Sequence, residues 1–368
     1  MIAPPVTPSI VAIGTAVPST RLRQDDVRDL FAAQPGLDRR SQRLIHAAFN
    51  AADIAHRHTV LRGLVDPDEP EALRVRDADG TLLSPSTAAR SAEYRRLVPA
   101  LFAEAATRAL HDAEVAPDAV THVITVSCTG VFAPGPDVLL VRDLGLRTTV
   151  ERYHHGFVGC AAALPALRAA HRLVLAQPDA VVLVVCAELC SLHIHTSDDP
   201  QQIVAASVFA DGAAAAVVRA GTPGHARLEL GDFATALVPD GEDDMTWTVG
   251  DDGFRMVLTA EVPRIVGREV RAAAGHLLDA DAWAVHPGGR SILDRVAAGL
   301  GLDETAMTPS RRVLRDYGNM SSATVLFILR DLLHDPELAD GASIGTLAFG
   351  PGLTVESARL RRRTAEGA

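Results

Sequence analysis

The stretch Asp179–Cys186, DAVVLVVC, is apolar at every position after its first residue and is rich in β-branched side chains. A strand of this composition is buried on both faces, so the sheet that contains it needs a cover on each side. Leu164–Ala176, just before it, has the spacing of an amphipathic helix, and Ala116–Cys128 predicts another strand. Strands that alternate with helices in this way predict an α/β fold with a parallel sheet covered on both faces.

The charge balance and the cysteine count exclude several classes of protein. The chain has 368 residues, and its 35 Lys and Arg against 46 Asp and Glu give a net charge of −11, which argues against nucleic acid as a partner. No apolar run approaches the roughly 18 residues of a membrane span, and the N-terminus lacks the features of a signal peptide. Four cysteines do not make a disulfide framework in a chain of this length. We therefore expect a cytoplasmic protein with reduced thiols.

A weak internal repeat indicates two fused halves. A Gly-Thr-Pro-Gly turn is the best division between them and predicts domains of residues 1–223 and 224–368. In the first half, Cys160 opens a predicted helix 32 positions after the cysteine that ends a strand. In the second half, His286 ends a strand and Asn319 opens a helix 33 positions later. Halves that face each other would bring these polar groups together.

Three of these residues could form a catalytic group. Cys160 lies in GFVGCAAA, where the glycine permits a tight turn and the alanines favour a helix whose N-terminus would stabilise a thiolate. His286 precedes a Pro-Gly-Gly loop at the carboxyl end of a strand, where open α/β sheets bind ligands. Asn319 supplies a neutral amide donor. Each residue also has a structural interpretation, as a buried thiol, a packed histidine or a helix cap.

Two kinds of chemistry fit this set of side chains. A hydrolase could use it, with Asn319 orienting His286. A carbon–carbon bond-forming enzyme could instead use both residues as donors to one thioester oxygen, where negative charge develops in an enolate. Composition and spacing do not choose between these uses. In either case Cys160 is the nucleophile, so we expect its pKa to lie below the roughly 8.5 of a free cysteine.

Six motifs occur in order from about Ile10 to Leu360. They are GVFAPGPD at 130–137, GFVGCAAALPALRAA at 156–170, VFADGAAAAVV at 208–218, AVHPGG at 284–289, RDYGNMSSATVLF at 315–327 and FGPGLTVE at 349–356. The series resembles that of the chalcone synthase-like type III polyketide synthases, which have the thiolase fold. The resemblance implies two duplicated α/β halves in a layered αβαβα core, a homodimer and no cofactor.

The resemblance also implies a reaction. An acyl-CoA starter is loaded on Cys160 and extended by decarboxylative Claisen condensation with malonyl-CoA, and the product cyclises to a pyrone or a resorcinol. By motif matching, Cys160 falls on the acyl-carrying nucleophile, and His286 and Asn319 fall on the residues that bind the malonyl thioester oxygen. Phe209 and Phe254 fall on the gatekeeper phenylalanines, whose apolar rings favour loss of the malonyl carboxylate as carbon dioxide. The other cavity positions implied are Ala133, Cys190, Ala205, Gly350, Pro351 and Gly352.

The small residues at cavity positions indicate the length of the acyl starter. Ala133 stands where plant members have a methionine that reaches into the partner's cavity. With Ala161 and Ala205 it predicts an elongated apolar space near Cys160, and thus a medium or long fatty acyl starter. The chain is most similar in this respect to bacterial alkylresorcinol and alkylpyrone synthases. The alternative is that neighbouring helices fill the space and the starter is small.

Several further interpretations accompany this one. A single-round condensing enzyme similar to ketoacyl synthase III, or an acyltransferase of the same fold, is the main alternative, and a non-catalytic partner subunit is another. Intact Cys160, His286 and Asn319 argue against the last. Two histidine pairs lack the neighbours of a metal site, so we expect no metal. The predicted cations for the CoA phosphates are Arg40, Arg43 and Arg57, and Asp211 is interpreted as structural.

Overall fold

The computed structural model describes residues 6–66, 73–221 and 224–365, so Thr222 and Pro223 of the predicted domain boundary lie outside the described residues. The helices are α1 Gln24–Ala32, α2 Arg39–Ala51, α3 Thr87–Asp112, α4 Pro136–Leu144, α5 Ala163–Ala176, α6 Pro200–Val208, α7 Val262–Ala274, α8 Arg290–Leu300, α9 Thr308–Tyr317 and α10 Thr324–Leu333. The strands are β1 Pro8–Ala16, β2 Thr20–Arg23, β3 His56–Thr59, β4 His122–Ser127, β5 Glu151–Gly156, β6 Val182–Leu189, β7 Asp211–Ala220, β8 Arg227–Leu237, β9 Met245–Gly250, β10 Gly253–Leu258, β11 Ala282–Val285, β12 Ser343–Gly350 and β13 Thr354–Arg363.

Nine strands pair in the order β11-β12-β13-β8-β1-β7-β6-β4-β5. The link between β8 and β1 is only two residue pairs long, Ser9 with Glu229 and Ile10 with Leu228, so it joins two strand layers. Parallel pairing occurs between β4 and β5, β4 and β6, and β11 and β12. The other neighbours are antiparallel, so the prediction of a parallel sheet is wrong for the middle of the sheet. Connection length explains part of this difference. Residues 351–353 alone join β12 to β13, which is too short for the crossover that parallel strands require.

Strand β6 is buried on both of its faces, as its composition predicts. Val182 and Val184 belong to a core that includes α5 and α10. Leu183 and Val185, which point the other way, belong to a second core that includes α3. A single strand therefore contributes alternate residues to two helical layers, which is why almost every position in it is apolar.

The C-terminal strands repeat this arrangement. Ile344 and Ala348 of β12 face the core that contains α5 and α10. Leu347 and Phe349 of the same strand face a third core that contains α7 and α8. The core therefore has five layers. Helix α3 covers strands β1, β7, β6, β4 and β5, and α5 with α10 forms the central layer. Strands β8, β13, β12 and β11 follow, and α7 with α8 covers them on the outside. The predicted αβαβα fold is confirmed.

Two short two-stranded sheets lie outside this core, β2 with β3 and β9 with β10. Strand β10 packs on α6, and Trp247 of β9 donates its indole N–H to the carbonyl of Cys128 at 2.7 Å. These contacts place β9 and β10 beside the strand ends that carry the candidate residues. Over the described ranges, none of the helices is both long and apolar enough to cross a membrane.

Candidate active site

The nucleophile candidate lies on a single 3-10 turn, Gly159–Ala161, between β5 and α5. Gly159 has a φ of +70°, and a Cβ at this position would lie 2.4 Å from Cδ of Pro351. Only glycine meets both requirements without strain. The loop of Gly350, Pro351 and Gly352 therefore packs directly against the turn that presents Cys160, and α5 begins three residues later at Ala163.

Burial controls the acidity of this thiol. It raises the pKa of Cys160 to about 11, and hydrogen bonds with Ser321 and Asn319 offset the effect only in part. The prediction of a depressed pKa is therefore wrong for this site. A protonated histidine would oppose this shift, but burial also lowers the pKa of His286 to about 3, which leaves the imidazole neutral at physiological pH.

His286 is the least satisfied polar side chain of the site. It follows β11, and its backbone N–H donates to the carbonyl of Leu347 at 2.8 Å. The side chain is 1% exposed, and neither ring nitrogen has a hydrogen-bond partner among the described residues. Buried polar atoms are rarely left unpaired, so the ring is a natural binding partner for a ligand.

Asn319 is held by the backbone on both sides. Its N–H donates to the carbonyl of Val208 at 2.9 Å, and its carbonyl accepts from the N–H of Ala210 at 2.8 Å. The side-chain Oδ1 accepts from the N–H of Ser321 at 2.9 Å, while the side chain also forms a hydrogen bond with Cys160, and Nδ2 makes a long contact of 3.5 Å with the Gly288 carbonyl. This arrangement leaves the amide N–H₂ as the donor for a ligand.

Cys160, His286 and Asn319 line one cavity of about 490 Å³. Much of its wall is apolar, and the side chains in this part include Val204, Val208, Phe209, Met256, Leu258 and Phe349. A thiol, a neutral imidazole and an amide donor thus converge in an apolar space. Such a set can carry an acyl group on sulfur and stabilise a negative charge on a carbonyl oxygen.

A buried carboxylate that sequence reasoning missed lies behind the nucleophile. Glu188 accepts hydrogen bonds from Ser322 Oγ at 2.6 Å, Thr129 Oγ1 at 2.8 Å and the Cys128 N–H at 3.0 Å. The Cys128 thiol lies 3.4 Å from both Glu188 Oε1 and Ser321 Oγ. Burial raises the pKa of Glu188, and its hydrogen bonds oppose that shift. The hint in the sequence was a charged residue at the end of a strand that is otherwise apolar.

Three of the predicted cavity residues line a different and much smaller space. Phe254, Cys190 and Ala205 border a cavity of about 20 Å³, which shares Phe209 with the larger one. The Phe254 ring stacks on His193 with 4.2 Å between ring centroids. Of the two predicted gatekeepers, Phe209 therefore lines the larger cavity together with Cys160, whereas Phe254 lines only the smaller cavity.

The three small residues from which a tunnel was predicted have different surroundings in the structure. Ala133 is exposed and lines neither cavity. Ala161 is fully buried and packs against the backbone at Gly350, where a Cβ would lie 3.1 Å from its own. Ala205 borders only the smaller cavity. In this chain Ala161 therefore serves packing, Ala205 borders the smaller cavity and Ala133 faces outward, and the tunnel that these alanines predict stays a prediction.

Of the three arginines predicted as candidates to bind the CoA phosphates, the structure excludes one. Arg57 is 2% exposed and donates to the carbonyls of Ala206 and Phe209 at 2.8 and 2.9 Å, so it holds the core together and is not free to bind a ligand. Arg40 and Arg43 are exposed on α2, but neither lines the cavity. The arginines in the cavity lining are instead Arg264, Arg290 and Arg295.

Asp211 has the structural role expected from its sequence. It is fully buried and accepts from the N–H groups of Ser191 and Val60, each at 2.8 Å. Burial raises its pKa to about 6. These bonds attach the start of β7 to the backbone that follows β3 and to the backbone that follows β6.

Comparison with known proteins supplies the family. Residues 6–222 match the family described as chalcone and stilbene synthases, N-terminal domain. Residues 229–363 match chalcone and stilbene synthases, C-terminal domain. Together the two matches cover nearly the whole chain.

Individual relatives agree with these matches. The alpha-pyrone synthesis polyketide synthase-like protein of Mycobacterium tuberculosis is 31% identical over 96% of this chain and 91% of its own length. Probable polyketide synthase 1 of Dictyostelium discoideum is 30% identical over 96% of this chain, which spans only 11% of that protein. The crystal structure of PKS-I from the brown alga Ectocarpus siliculosus superposes with a TM-score of 0.90 at 28% identity, covering 98% of this chain and 100% of that one.

Proposed function

The chain belongs to the chalcone and stilbene synthase family and is a type III polyketide synthase, and on this premise we propose that Cys160 carries the acyl chain while His286 and Asn319 hold the malonyl thioester oxygen. The enzyme is an acyltransferase that condenses thioesters with loss of carbon dioxide. The single observation that carries the assignment of roles is the buried imidazole of His286, whose ring nitrogens have no partner among the described residues.

Loading of the starter uses the thiol. Cys160 Sγ attacks the carbonyl carbon of the acyl-CoA, the bond to the CoA sulfur breaks, and CoA leaves as its thiol after taking up the proton that Cys160 gives up. Because the pKa of Cys160 is about 11, the thiolate is a minor species at neutral pH.

Extension uses the two donors. When the malonyl carboxylate leaves as carbon dioxide, the electrons of the broken carbon–carbon bond form an enolate whose oxygen accepts hydrogen bonds from His286 and Asn319 Nδ2. The enolate carbon then attacks the acyl group on Cys160, and the cysteine leaves as the thiolate. Phe209 is 8% exposed and lies beside the sulfur, where its apolar ring disfavours the charged carboxylate.

We propose a fatty acyl starter of medium or long chain and a pyrone or resorcinol product. The support is the apolar wall of the larger cavity, together with the printed name of the mycobacterial relative, which specifies alpha-pyrone synthesis. Each methylene buried against such a wall contributes about 0.8 kcal/mol. This proposal no longer depends on Ala133, Ala161 or Ala205.

A panel of acyl-CoA starters from two to sixteen carbons, incubated with malonyl-CoA, tests the starter and the number of extensions. We expect kcat/KM to rise with chain length, and the product masses to show two or three added malonyl units. A maximum at acetyl-CoA would contradict the fatty starter. Products with one added unit only would instead support a single-round condensing enzyme similar to ketoacyl synthase III.

We also propose a cytoplasmic homodimer. Strand β5 forms the open edge of the large sheet, and apolar side chains near it are exposed, with Val131 at 64%, Phe157 at 42% and Tyr153 at 42%. Exposed apolar groups at a sheet edge favour pairing with another copy. Four free cysteines suit a reducing compartment. Sedimentation at micromolar concentration would contradict the dimer if it gave a monomer of 38.9 kDa.

A further inference from the structure

Two strained backbone positions flank the nucleophile. Among the described residues, four that are not glycine have a left-handed φ, and two of these are neighbours of Cys160. Phe157, with a φ of +57°, lies three positions before the cysteine, and Ser321, with a φ of +47°, forms a hydrogen bond with its thiol. A bulky side chain is rare in this conformation, and such strain persists only where the surrounding structure enforces it. The contacts of Phe157 therefore hold the segment that leads into the nucleophile turn.

The ring contact of Phe157 is with Phe254 on β10. The two ring centroids lie 5.7 Å apart, and the ring planes are tilted by 41°. Phe254 is 2% exposed and Phe157 is 42% exposed, so one ring is fixed in the interior and the other packs on it from the surface. Tilted aromatic pairs at this separation are favourable. Phe254 thus supports the residues between β5 and the turn of Cys160.

Phe254 is itself fixed by a buried imidazole. The rings of His193 and Phe254 are nearly parallel, with an angle of 9° between their planes, and Nδ1 of His193 accepts from the backbone N–H of Phe254 at 3.0 Å. Because Nδ1 accepts, Nε2 carries the proton and donates to the carbonyl of Thr129 at 2.7 Å. The indole of Trp247 packs edge-on against Phe254 with 6.0 Å between centroids. Both ring nitrogens of His193 are therefore bonded within the protein, in contrast to those of His286.

The turn of Cys160 has a second support in the C-terminal half of the chain. A Cβ at Gly350 would lie 2.7 Å from the carbonyl oxygen of Val158, and 3.1 Å from the Cβ of Ala161. This loop therefore covers the turn from Val158 onward. Phe157, one residue earlier, depends on the ring of Phe254 instead. The two supports together enclose the residues that present the thiol.

From these contacts we infer that Phe157 and Phe254 are positioning residues, which hold the thiol of Cys160 in the orientation that attacks the acyl thioester. The inference rests on the proposed function, because it takes Cys160 to be the group that is acylated. Phe254 borders only the smaller cavity, so it acts on the reaction through the backbone that leads from Phe157 to the cysteine. Its part in the reaction is then confined to the step that uses the thiol.

The test separates the two half-reactions. Phe157→Leu and Phe254→Leu each remove a ring but keep an apolar side chain. Each should slow the maximal rate of Cys160 loading from a labelled acyl-CoA about tenfold, with KM within about twofold. A reacting group displaced by about 1 Å can lose about 10² in rate, so this loss corresponds to a smaller displacement. Malonyl-CoA decarboxylation should stay within about twofold, because His286 and Asn319 provide its donors.

The double variant and two single variants serve as controls. Phe157→Leu combined with Phe254→Leu should load no more slowly than Phe254→Leu alone, because both changes break one contact. Phe157→Tyr keeps the ring at an exposed position and should load within about twofold of the wild type. Phe233 pairs with His171 at 5.6 Å and lines neither cavity, so Phe233→Leu should change neither half-reaction. Unchanged loading in both single variants, equal losses in both half-reactions, or losses that multiply in the double variant would overturn the inference.

Failure of the proposed function is distinguishable from failure of this inference. If the wild type loads no acyl-CoA, the proposed function fails, and alkylation then tests the positioning. A thiol that loses its support becomes more accessible, so iodoacetamide at about pH 9 should label Cys160 several-fold faster in Phe157→Leu than in the wild type. Cys186, fully buried in β6, reports global unfolding and should stay unlabelled in both proteins. Equal labelling rates of Cys160 in the two proteins, or labelling of Cys186 alongside it, would overturn the inference whatever the activity.

Discussion

Glu188 and His286 are both buried polar side chains near Cys160, but their surroundings differ in a way that separates two kinds of function. Glu188 accepts hydrogen bonds from several fixed donors in the N-terminal half. His286, from the C-terminal half, has none on its ring among the described residues. An unpaired buried polar group costs about 1–3 kcal/mol. A chain tolerates that cost where a ligand completes the bonding, so Glu188 stabilises the site and His286 acts in it.

The largest expected effect comes from removal of the Cys160 thiol, which lies near both groups. Cys160→Ala should abolish loading of a labelled acyl-CoA starter, because no other cysteine lines the cavity. Malonyl-CoA decarboxylation should persist, since the donors of His286 and Asn319 remain. Scintillation counting of the acyl-enzyme and release of carbon dioxide measure the two half-reactions. Cys186→Ala, in the core of β6, serves as the control and should still load. Starter loading that survives Cys160→Ala would refute the assignment.

The next test replaces the unpaired imidazole of His286 with a leucine side chain of similar volume. His286→Leu should reduce malonyl-CoA decarboxylation by about 10²–10³, the usual cost of losing one oxyanion donor. Its free energy of unfolding should stay the same or rise, because the change removes buried nitrogens that have no partner. Urea denaturation measures stability beside the rate. A large loss of stability would mean that His286 is a packing residue. Asn319→Ala should likewise reduce decarboxylation more than starter loading.

For Glu188, whose carboxylate has several hydrogen-bond donors, we expect a loss of stability and only a small loss of rate. Glu188→Gln should lower the free energy of unfolding by about 1–3 kcal/mol, because an amide N–H₂ replaces one of two oxygens that accept from fixed donors. Decarboxylation per folded molecule should fall much less than in His286→Leu. Urea midpoints and rates measured on the same samples give both quantities. If the rate fell as far as in His286→Leu while stability held, the contrast between the two groups would be wrong.

The sequence predicts those features that are determined by residues close together in the chain, and it misses those that depend on residues far apart. The layered fold was predictable because two-sided burial is visible in a local run such as that of β6. Cys160, His286 and Asn319 were identified because each lies in a short motif at a strand end or a helix start. The role of Arg57 was not predictable, because its partner carbonyl at Ala206 lies 149 positions away.

The same reasoning explains the misassigned acidity of Cys160. A helix start beside a cysteine is a local pattern, and it predicts a lowered pKa. Burial depends on every segment that closes around the thiol, including the loop of Gly350–Gly352 more than a hundred residues later. Here burial prevails over the local effect. The position of Phe254 likewise depends on how β10 packs, which no local pattern specifies.

The smallest expected effect concerns Ser321. Its hydroxyl forms hydrogen bonds with Cys160, in the cavity of His286, and with Cys128, which contacts Glu188. Its hydroxyl lowers the pKa of Cys160, so Ser321→Ala should raise that pKa further above the present value of about 11. Below the pKa, the thiolate fraction rises about tenfold per pH unit and falls as the pKa rises. Alkylation of Cys160 by iodoacetamide should therefore speed up with pH between 7 and 10 in both proteins, and should be several-fold slower in Ser321→Ala at each pH. Mass spectrometry of the labelled peptide gives the rates, and Ser357→Ala on β13 is the control. A rate independent of pH, or faster labelling of Ser321→Ala, would show that burial does not set the acidity of this nucleophile.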